Sequence, residues 1–296
     1  MSVPGAVNLE GRSNHLRRRQ IVSRIAQVLC LLVTVAVAVM FLVILFTVLK
    51  RGWSALDLNF FTNTPALFGA SGGGIANAIV GTLVLVGLAS LMAIPVAILV
   101  AMYLNEFAPP SAATAIRLTL EVLSGVPAIV IGIFVFSLLI VGNGQNGFAG
   151  AFALGVLMLP LVARAADEVL SYAAAGLREA SLALGATRSR TLMSAILPTA
   201  ISGIVTASVL AVARVAGETA PLLFTTSIVS NDISTNPHQP LASMPLTIFE
   251  YSESPSPELH AQAWAASFVL IMFVLLASIL ARAVAGRAAS IAERER

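Results

Sequence analysis

Six long apolar runs decide what this chain can fold into. They lie at about 25–49, 75–104, 116–141, 148–170, 200–226 and 263–285, each near or above the roughly 20 residues a helix needs to cross a bilayer. Ala, Val, Leu and Ile supply most of this apolar mass. Charged residues make up only 10% of the chain, against about 25% in a soluble domain. A water-soluble fold would lack the polar coat its surface requires. The reading is an all-α integral membrane protein with six transmembrane helices. The first run follows the basic stretch RSNHLRRRQ, as a secretory signal would. It is too long for a signal core, and no small-residue cleavage site closes it, so it is read as the first span.

Orientation follows from the basic residues near the span ends, because cytoplasmic loops carry the excess of Lys and Arg. Arg12, Arg17, Arg18, Arg19 and Arg24 precede the first span; Arg178, Arg188 and Arg190 lie between the fourth and fifth; Arg282, Arg287, Arg294 and Arg296 close the chain. With six spans these segments share one side, which places both termini in the cytoplasm of a cell-membrane protein. The expected layout is a basic cytoplasmic N-terminus (1–24), a six-helix domain (25–285) and a cytoplasmic tail (286–296). Within the domain, a polar loop at 176–198 faces inward. An acidic loop at 228–262, with Asp232, Glu250, Glu253 and Glu258 and no basic residue, faces outward. The aromatics of the outer segment 52–74 (Trp53, Phe60, Phe61 and Phe68) are expected at the headgroup level.

Charges inside the spans are the candidate site. An ionised group at a helix centre costs ~2.5–3.5 kcal/mol on insertion scales and marks function by default. The fifth span reads AVLAVARVAGETAPLLFTT and buries Arg214 and Glu218; the fourth carries Arg164, with Asp167 and Glu168 toward its inner end. Arg214 and Glu218 stand four residues apart, so a self-neutralising pair on one helix face competes with a pathway role. Asp167 and Glu168 read as solvated boundary residues or as path-lining ones. Arg117 and Glu121, near the end of the third span, read as snorkelling side chains. Pro127 and Pro221 cannot donate the hydrogen bonds that the carbonyls of Leu123 and Gly217 would accept, and Gly125 loosens the turn before Pro127. Pro95 and Pro160 fall inside two other spans. Irregular backbone at membrane depth is tolerated where it meets protein or lines a cavity.

The arginines suit an anionic cargo, since a guanidinium matches phosphate or carboxylate oxygens. Glu218 would accept a hydrogen bond from a protonated oxyanion and repel sulfate, which has no proton to give. No nucleophile or metal set supports a membrane enzyme: His15, His238 and His260 lie outside the spans, Cys30 is alone, and neither H-E-x-x-H nor G-x-S-x-G occurs. Nor is there a phosphate-binding loop of the G-x-x-x-x-G-K-[ST] type, so any ATP hydrolysis belongs to another chain. Nothing points to nucleic acid.

The segment GLREASLALGATRSRTLMSAILP is too polar to span and too regular for a linker; it suits a short amphipathic helix that Gly185 ends or turns. It resembles the cytoplasmic signature of ATP-binding-cassette importer permeases: EAA, three residues, Gly, nine residues, Ile, one residue, Leu-Pro. Glu179, Ala180, Ser181, Gly185, Leu197 and Pro198 fall in register, with Ser181 in place of the second Ala and Ala195 in place of Ile. ARVAGETAPLLFT, LMLPLVARAADEVL and EVLSGVPAIVIGIFVF further resemble the PstA-type permeases of phosphate-specific transport systems, across nearly all the chain. The resemblance implies a type I importer permease fold and a non-catalytic component of an ATP-driven phosphate importer. The implied partners are a sister permease of the C type, two copies of a cytoplasmic ATPase that holds ATP and Mg, and an extracytoplasmic phosphate-binding protein. It implies Arg164, Arg214 and Glu218 in the substrate pathway and Asp167, Glu168, Pro127, Gly217 and Pro221 along the path or gate. It also implies ATPase coupling through Arg178, Glu179, Ala180, Ser181, Gly185, Leu197 and Pro198. A permease for another oxyanion such as molybdate or sulfate, and a membrane phosphate-sensing protein, are the alternative readings.

Overall fold

A computed structural model describes residues 9–66, 72–174, 176–226 and 232–294. Phe68, residues 228–231 of the acidic loop, Arg296, and the side chains of Arg12, His15, Arg282, Arg287 and Arg294 lie outside that description. All regular structure among the described residues is helical, apart from one isolated bridge between Pro65 and Gly73. Among the described residues five helices are long and apolar enough to cross a membrane, or six if the bent pair Pro110–Gly125 and Ala128–Ile140 counts as one span.

Residues 1–50 form one compact unit. Its described part is a single helix, α1, which runs Leu9–Gly52. From Leu16 to Ile44 every residue is exposed. A helix that shows Leu, Val and Phe on all sides has no stripe to bury in a soluble core and matches a bilayer span. Thr34 and Thr47 donate their hydroxyls to the carbonyls of Cys30 and Val43, at 2.8 and 2.7 Å, so neither polar group faces lipid unsatisfied.

The second unit begins at Arg51. After the short helix α2 (Leu58–Thr62) come α3 (Ala76–Glu106), α4 (Pro110–Gly125), α5 (Ala128–Val135) and α6 (Gly147–Ala174). A π-helical turn extends α5 to Ile140. Then follow α7 (Leu177–Ala183), α8 (Arg188–Thr191), α9 (Leu197–Val215), α10 (Ala220–Thr225), α11 (Met244–Glu253) and α12 (Pro257–Arg294). The main core lies between α3 and α6. Ala89, Ala93, Ala97 and Ala101 recur every four residues on one face of α3, all at most 2% exposed. The first three cluster with Ala151, Leu154, Met158, Val162 and Ala163 of α6, and Ala101 clusters with Ala166 and Leu170 further along it. Small side chains at that spacing let two helices approach closely, the usual contact in lipid, where apolar burial between helices gains little.

Three expectations are corrected. The third span, read as one segment at 116–141, begins at Pro110 and bends by 96° between α4 and α5. A proline that must start a new helix at Ala128, with Gly125 before it, breaks the rod instead of kinking it. The fifth span, read as 200–226, ends as a helix at Val215 and restarts at Ala220. Its break precedes Pro221, which occupies the first turn of α10, where the missing N–H costs nothing. Phe60 does not face the headgroups: it is 1% exposed and packs with Ile75, Ala78 and Met244. By contrast, Pro95 and Pro160 leave α3 and α6 continuous.

Candidate functional site

The two breaks face each other. A Cβ on Gly132 of α5 would lie 2.7 Å from Pro221 Cα and 3.2 Å from its carbonyl oxygen, so only glycine allows this approach of α5 to α10. In the break itself the backbone tightens, with Gly217 N–H bonding to the Arg214 carbonyl (3.2 Å) and Glu218 N–H to that of Val215 (3.1 Å). Arg214 therefore stands in the last turn of α9 and Glu218 beyond its end. The self-neutralising helical pair does not form: among the described residues, Arg214 and Glu218 make no ion pair within 4 Å. The i,i+4 geometry it required is lost where the helix opens.

Arg164 and Arg214 instead converge on one cavity of about 660 Å³ between α4, α6 and α9. Arg117, Glu121, Ser124, Asp167 and Glu168 line it with them. Neither Arg164 nor Arg214 has an ion-pair partner among the described residues. Two guanidiniums without an acidic partner give this polar cavity the donors that an oxyanion would need. Glu218 lies next door, on a smaller cavity of about 80 Å³ that shares Ser124, Leu161 and Arg214 with the first. Pro127 and Gly217 are exposed and Pro221 is buried; all three sit at the breaks and not on the lining of the larger cavity.

Arg117 and Glu121 are the residues that sequence reasoning missed. Arg117 is not free at its span end: its Nε donates to Asp167 Oδ2 at 2.8 Å and a terminal nitrogen to Oδ1 at 3.1 Å. Asp167, in turn, is not a freely solvated boundary residue, because Asn105 Nδ2 also donates to it at 2.7 Å. A usable signal was present in the sequence. Arg117 and Asp167 stand near the same expected membrane face on adjacent spans, where opposite charges are drawn together in low dielectric.

The coupling segment is a helix–turn–helix. Gly185, at φ +81°, ends α7; its N–H bonds to the Leu182 carbonyl and that of Ala186 to the Ser181 carbonyl, the pair of bonds a left-handed glycine permits. Thr187 then caps α8, accepting from Arg190 N–H at 3.4 Å. Glu179, Ala180, Gly185 and Pro198 are exposed, and Ser181 and Leu197 half-buried. Arg178 differs from these. Its guanidinium turns inward onto Glu106, at the end of α3, whose side chain is 2% exposed.

A second cavity, of about 390 Å³, lies between Arg51, Ser252, His260, Trp264 and Ser267. Arg51 stacks over Trp264 with its guanidinium carbon 5.0 Å from the ring centre. No residue expected in the pathway lines it. Beside it, burial raises the Glu250 carboxyl above its ordinary range, and burial with the nearby Glu250 charge pushes Tyr251 up to about 12.

Comparison with known proteins places this geometry in context. Residues 93–290 match the family described as binding-protein-dependent transport system inner membrane component. The chain is 39% identical over 242 residues to the phosphate transport system permease protein PstA of Haemophilus influenzae, covering 81% of this chain and 85% of that one. It is 36% identical over 282 residues to PstA of Yersinia pestis, covering 94% and 95%. It is 40% identical over 259 residues to PstA 1 of Mycobacterium tuberculosis, covering 82% and 83%. Among solved structures, a chain of the MetNI methionine ABC transporter in inward-facing form superposes with a TM-score of 0.56 at 17% identity. That match covers 73% of this chain and 94% of that one, and at this identity it speaks to the fold alone.

Proposed function

Because this chain belongs to the binding-protein-dependent transport system inner membrane components, and among them to the PstA phosphate permeases, we propose that the arginine-lined cavity is its part of a phosphate path. The chain is a multi-pass membrane permease of an ATP-driven phosphate importer. The observation that carries the pathway reading is the convergence of Arg164 and Arg214, unpaired among the described residues, on one cavity between the candidate spans.

Phosphate near neutral pH keeps at least one proton. Arg164 and Arg214 bind its oxygens by charge-assisted hydrogen bonds, and Glu218, Glu121 or Glu168 accepts a hydrogen bond from the O–H it retains. A fully deprotonated anion of like size meets carboxylates it cannot satisfy, which is discrimination by an unpaired group. Asp167 and Glu168 with Pro127, Gly217 and Pro221 shape the gate, since the broken backbone at 125–127 and 217–219 is where α4, α5, α9 and α10 can reorient.

Both termini and the 176–198 segment lie in the cytoplasm in this reading, which the arginine distribution supports. There Glu179, Ala180, Ser181, Gly185, Leu197 and Pro198 dock one of two ATPase copies, which hold ATP and Mg. A sister permease of the C type completes the path. The acidic outer loop does not attract a free anion by its own field, which suits delivery by a phosphate-binding protein. ATP-driven closure pushes the coupling segment and turns the cavity outward; hydrolysis returns it inward.

The test is labelled-phosphate uptake in cells lacking this chain, complemented with wild type or Arg214→Gln, with arsenate and sulfate as competitors. Wild type restores uptake, Arg214→Gln loses it, and arsenate but not sulfate competes. Uptake indifferent to this chain, or equal competition by sulfate, refutes the reading.

A further inference from the structure

Arg178 and Glu106 lead beyond docking. Arg178 Nε lies 3.1 and 3.3 Å from the two Glu106 oxygens, and a terminal nitrogen reaches Glu106 again and the Asn105 carbonyl at 3.1 Å. Asn105, the next residue back on α3, donates to the Asp167 carboxylate at 2.7 Å and to the Asp167 carbonyl at 3.2 Å. Asp167 holds Arg117, whose side chain is 49% exposed onto the cavity. An unbroken series of polar contacts thus runs from α7 through the end of α3 and through α6 to α4.

We propose that Arg178, Glu106, Asn105, Asp167 and Arg117 form one polar relay that makes the position of Arg117 at the cavity follow the position of α7. The relay rests on the reading of α7 as the coupling helix and of the cavity as the path. Its members are positioning residues that carry no chemistry of their own. Two features set it apart from a set of local pins. No residue of α7 is fully buried, and only Leu177, Arg178 and Ser181 are half-buried, so apolar packing holds this helix weakly and its displacement is carried largely through Arg178. And Glu106 is a nearly inaccessible carboxylate in a chain otherwise poor in charge. A buried ion pair adds little stability over apolar side chains of similar size, whereas losing one partner strands the other. The contact is directional and all-or-none, as a mechanical link between two positions requires.

The test uses the full assembly of this chain, sister permease, ATPase and binding protein, reconstituted in lipid. Three variants cut the relay at separate links: Glu106→Gln, Arg178→Gln and Asn105→Ala. Phosphate transported per ATP hydrolysed falls at least about tenfold in each, the effect of losing one charge-assisted hydrogen bond, while ATP hydrolysis continues. The Glu106→Gln, Arg178→Gln double variant falls no further than either single one, because both cut one link. A second readout needs no cargo. Spin labels at Leu118→Cys on α4 and Leu210→Cys on α9, in a Cys30→Ser background, report their separation with and without trapped ATP. In the wild type the separation changes on trapping; in Glu106→Gln and Asn105→Ala it stays fixed. Variants that move as wild type does, or merely unfold at lower temperature with normal movement, overturn the relay. If wild type moves its labels but carries no phosphate, the relay stands and the phosphate reading fails.

Discussion

The contact between Gly132 and Pro221 offers the sharpest test of how the two broken spans are held. Alanine at 132 would place its Cβ 2.7 Å from Pro221 Cα, 3.2 Å from Pro221 O and 3.4 Å from Ala220 O. Carbon atoms at rest stand about 3.5–4.0 Å apart, so α10 must retreat by roughly 0.8 Å or more. Every atom in the way is backbone, and no rotamer change relieves the clash. Overpacking of this kind costs about 1–3 kcal/mol, partly offset by up to ~1 kcal/mol that alanine gains over glycine inside a helix. Gly87→Ala isolates the two effects: Gly87 lies inside α3 with nothing within 4 Å of its would-be Cβ, so it keeps the gain without the clash. Gly132→Ala should therefore be less stable than Gly87→Ala by about 1–3 kcal/mol in equilibrium unfolding from bicelles, a factor of roughly 5 to 150 in the folded-to-unfolded ratio. Because α10 follows directly on the break that carries Glu218, phosphate uptake should fall in Gly132→Ala and not in Gly87→Ala. Equal stability of the two variants would refute the claim that α5 and α10 are locked at this glycine.

Two further outcomes are expected. Thr226, fully buried, accepts from the Leu241 N–H at 3.0 Å and donates to the Leu241 carbonyl. Thr226→Val should cost about 1–3 kcal/mol for each group left unpaired. Thr226→Ser should keep both bonds, and equal unfolding curves for Val and Ser would refute the pin. Glu250 has its carboxyl raised by burial, so the folded chain holds this proton more tightly than the unfolded one. Stability should be greatest below the ordinary carboxylate value and should fall as pH rises from there through the raised one. Glu250→Gln should remove that slope, and parallel pH profiles of unfolding for wild type and variant would contradict it.

Much of the architecture was legible because lipid leaves so few options. A long apolar run must be a helix, and the arginines at 164 and 214 could not be mistaken for surface charge. The turn at Gly185 was visible because few residues other than glycine end a helix that way. What escaped notice depended on tertiary packing. Arg214 and Glu218 look paired by helical arithmetic alone, yet the opening of α9 after Val215 separates them. Arg117 looks like an end-of-span side chain until α4 is bent away from α5 and its guanidinium meets Asp167. Glu106 gives no local sign at all: its burial depends on Arg178, 72 residues later, folding back onto the end of α3.

The prolines explain why some spans break and others hold. Pro95 and Pro160 each remove one hydrogen bond from a helix packed tightly against its neighbour through alanines, and that packing keeps the rod whole. At Gly125-Val126-Pro127 and Gly217–Pro221 a glycine precedes the proline by two or four residues. The helix gives way where both weaken one turn. The helices that follow the two gaps then meet at Gly132 against Pro221, and a small cavity lined by Val126, Ala128 and Glu218 opens between the gaps. Backbone groups freed at a break need polar surroundings, and unpaired arginines at membrane depth need the same. The broken helices and the charged side chains thus require each other: an unbroken α9 would return Glu218 to Arg214, neutralise the cation and close the site.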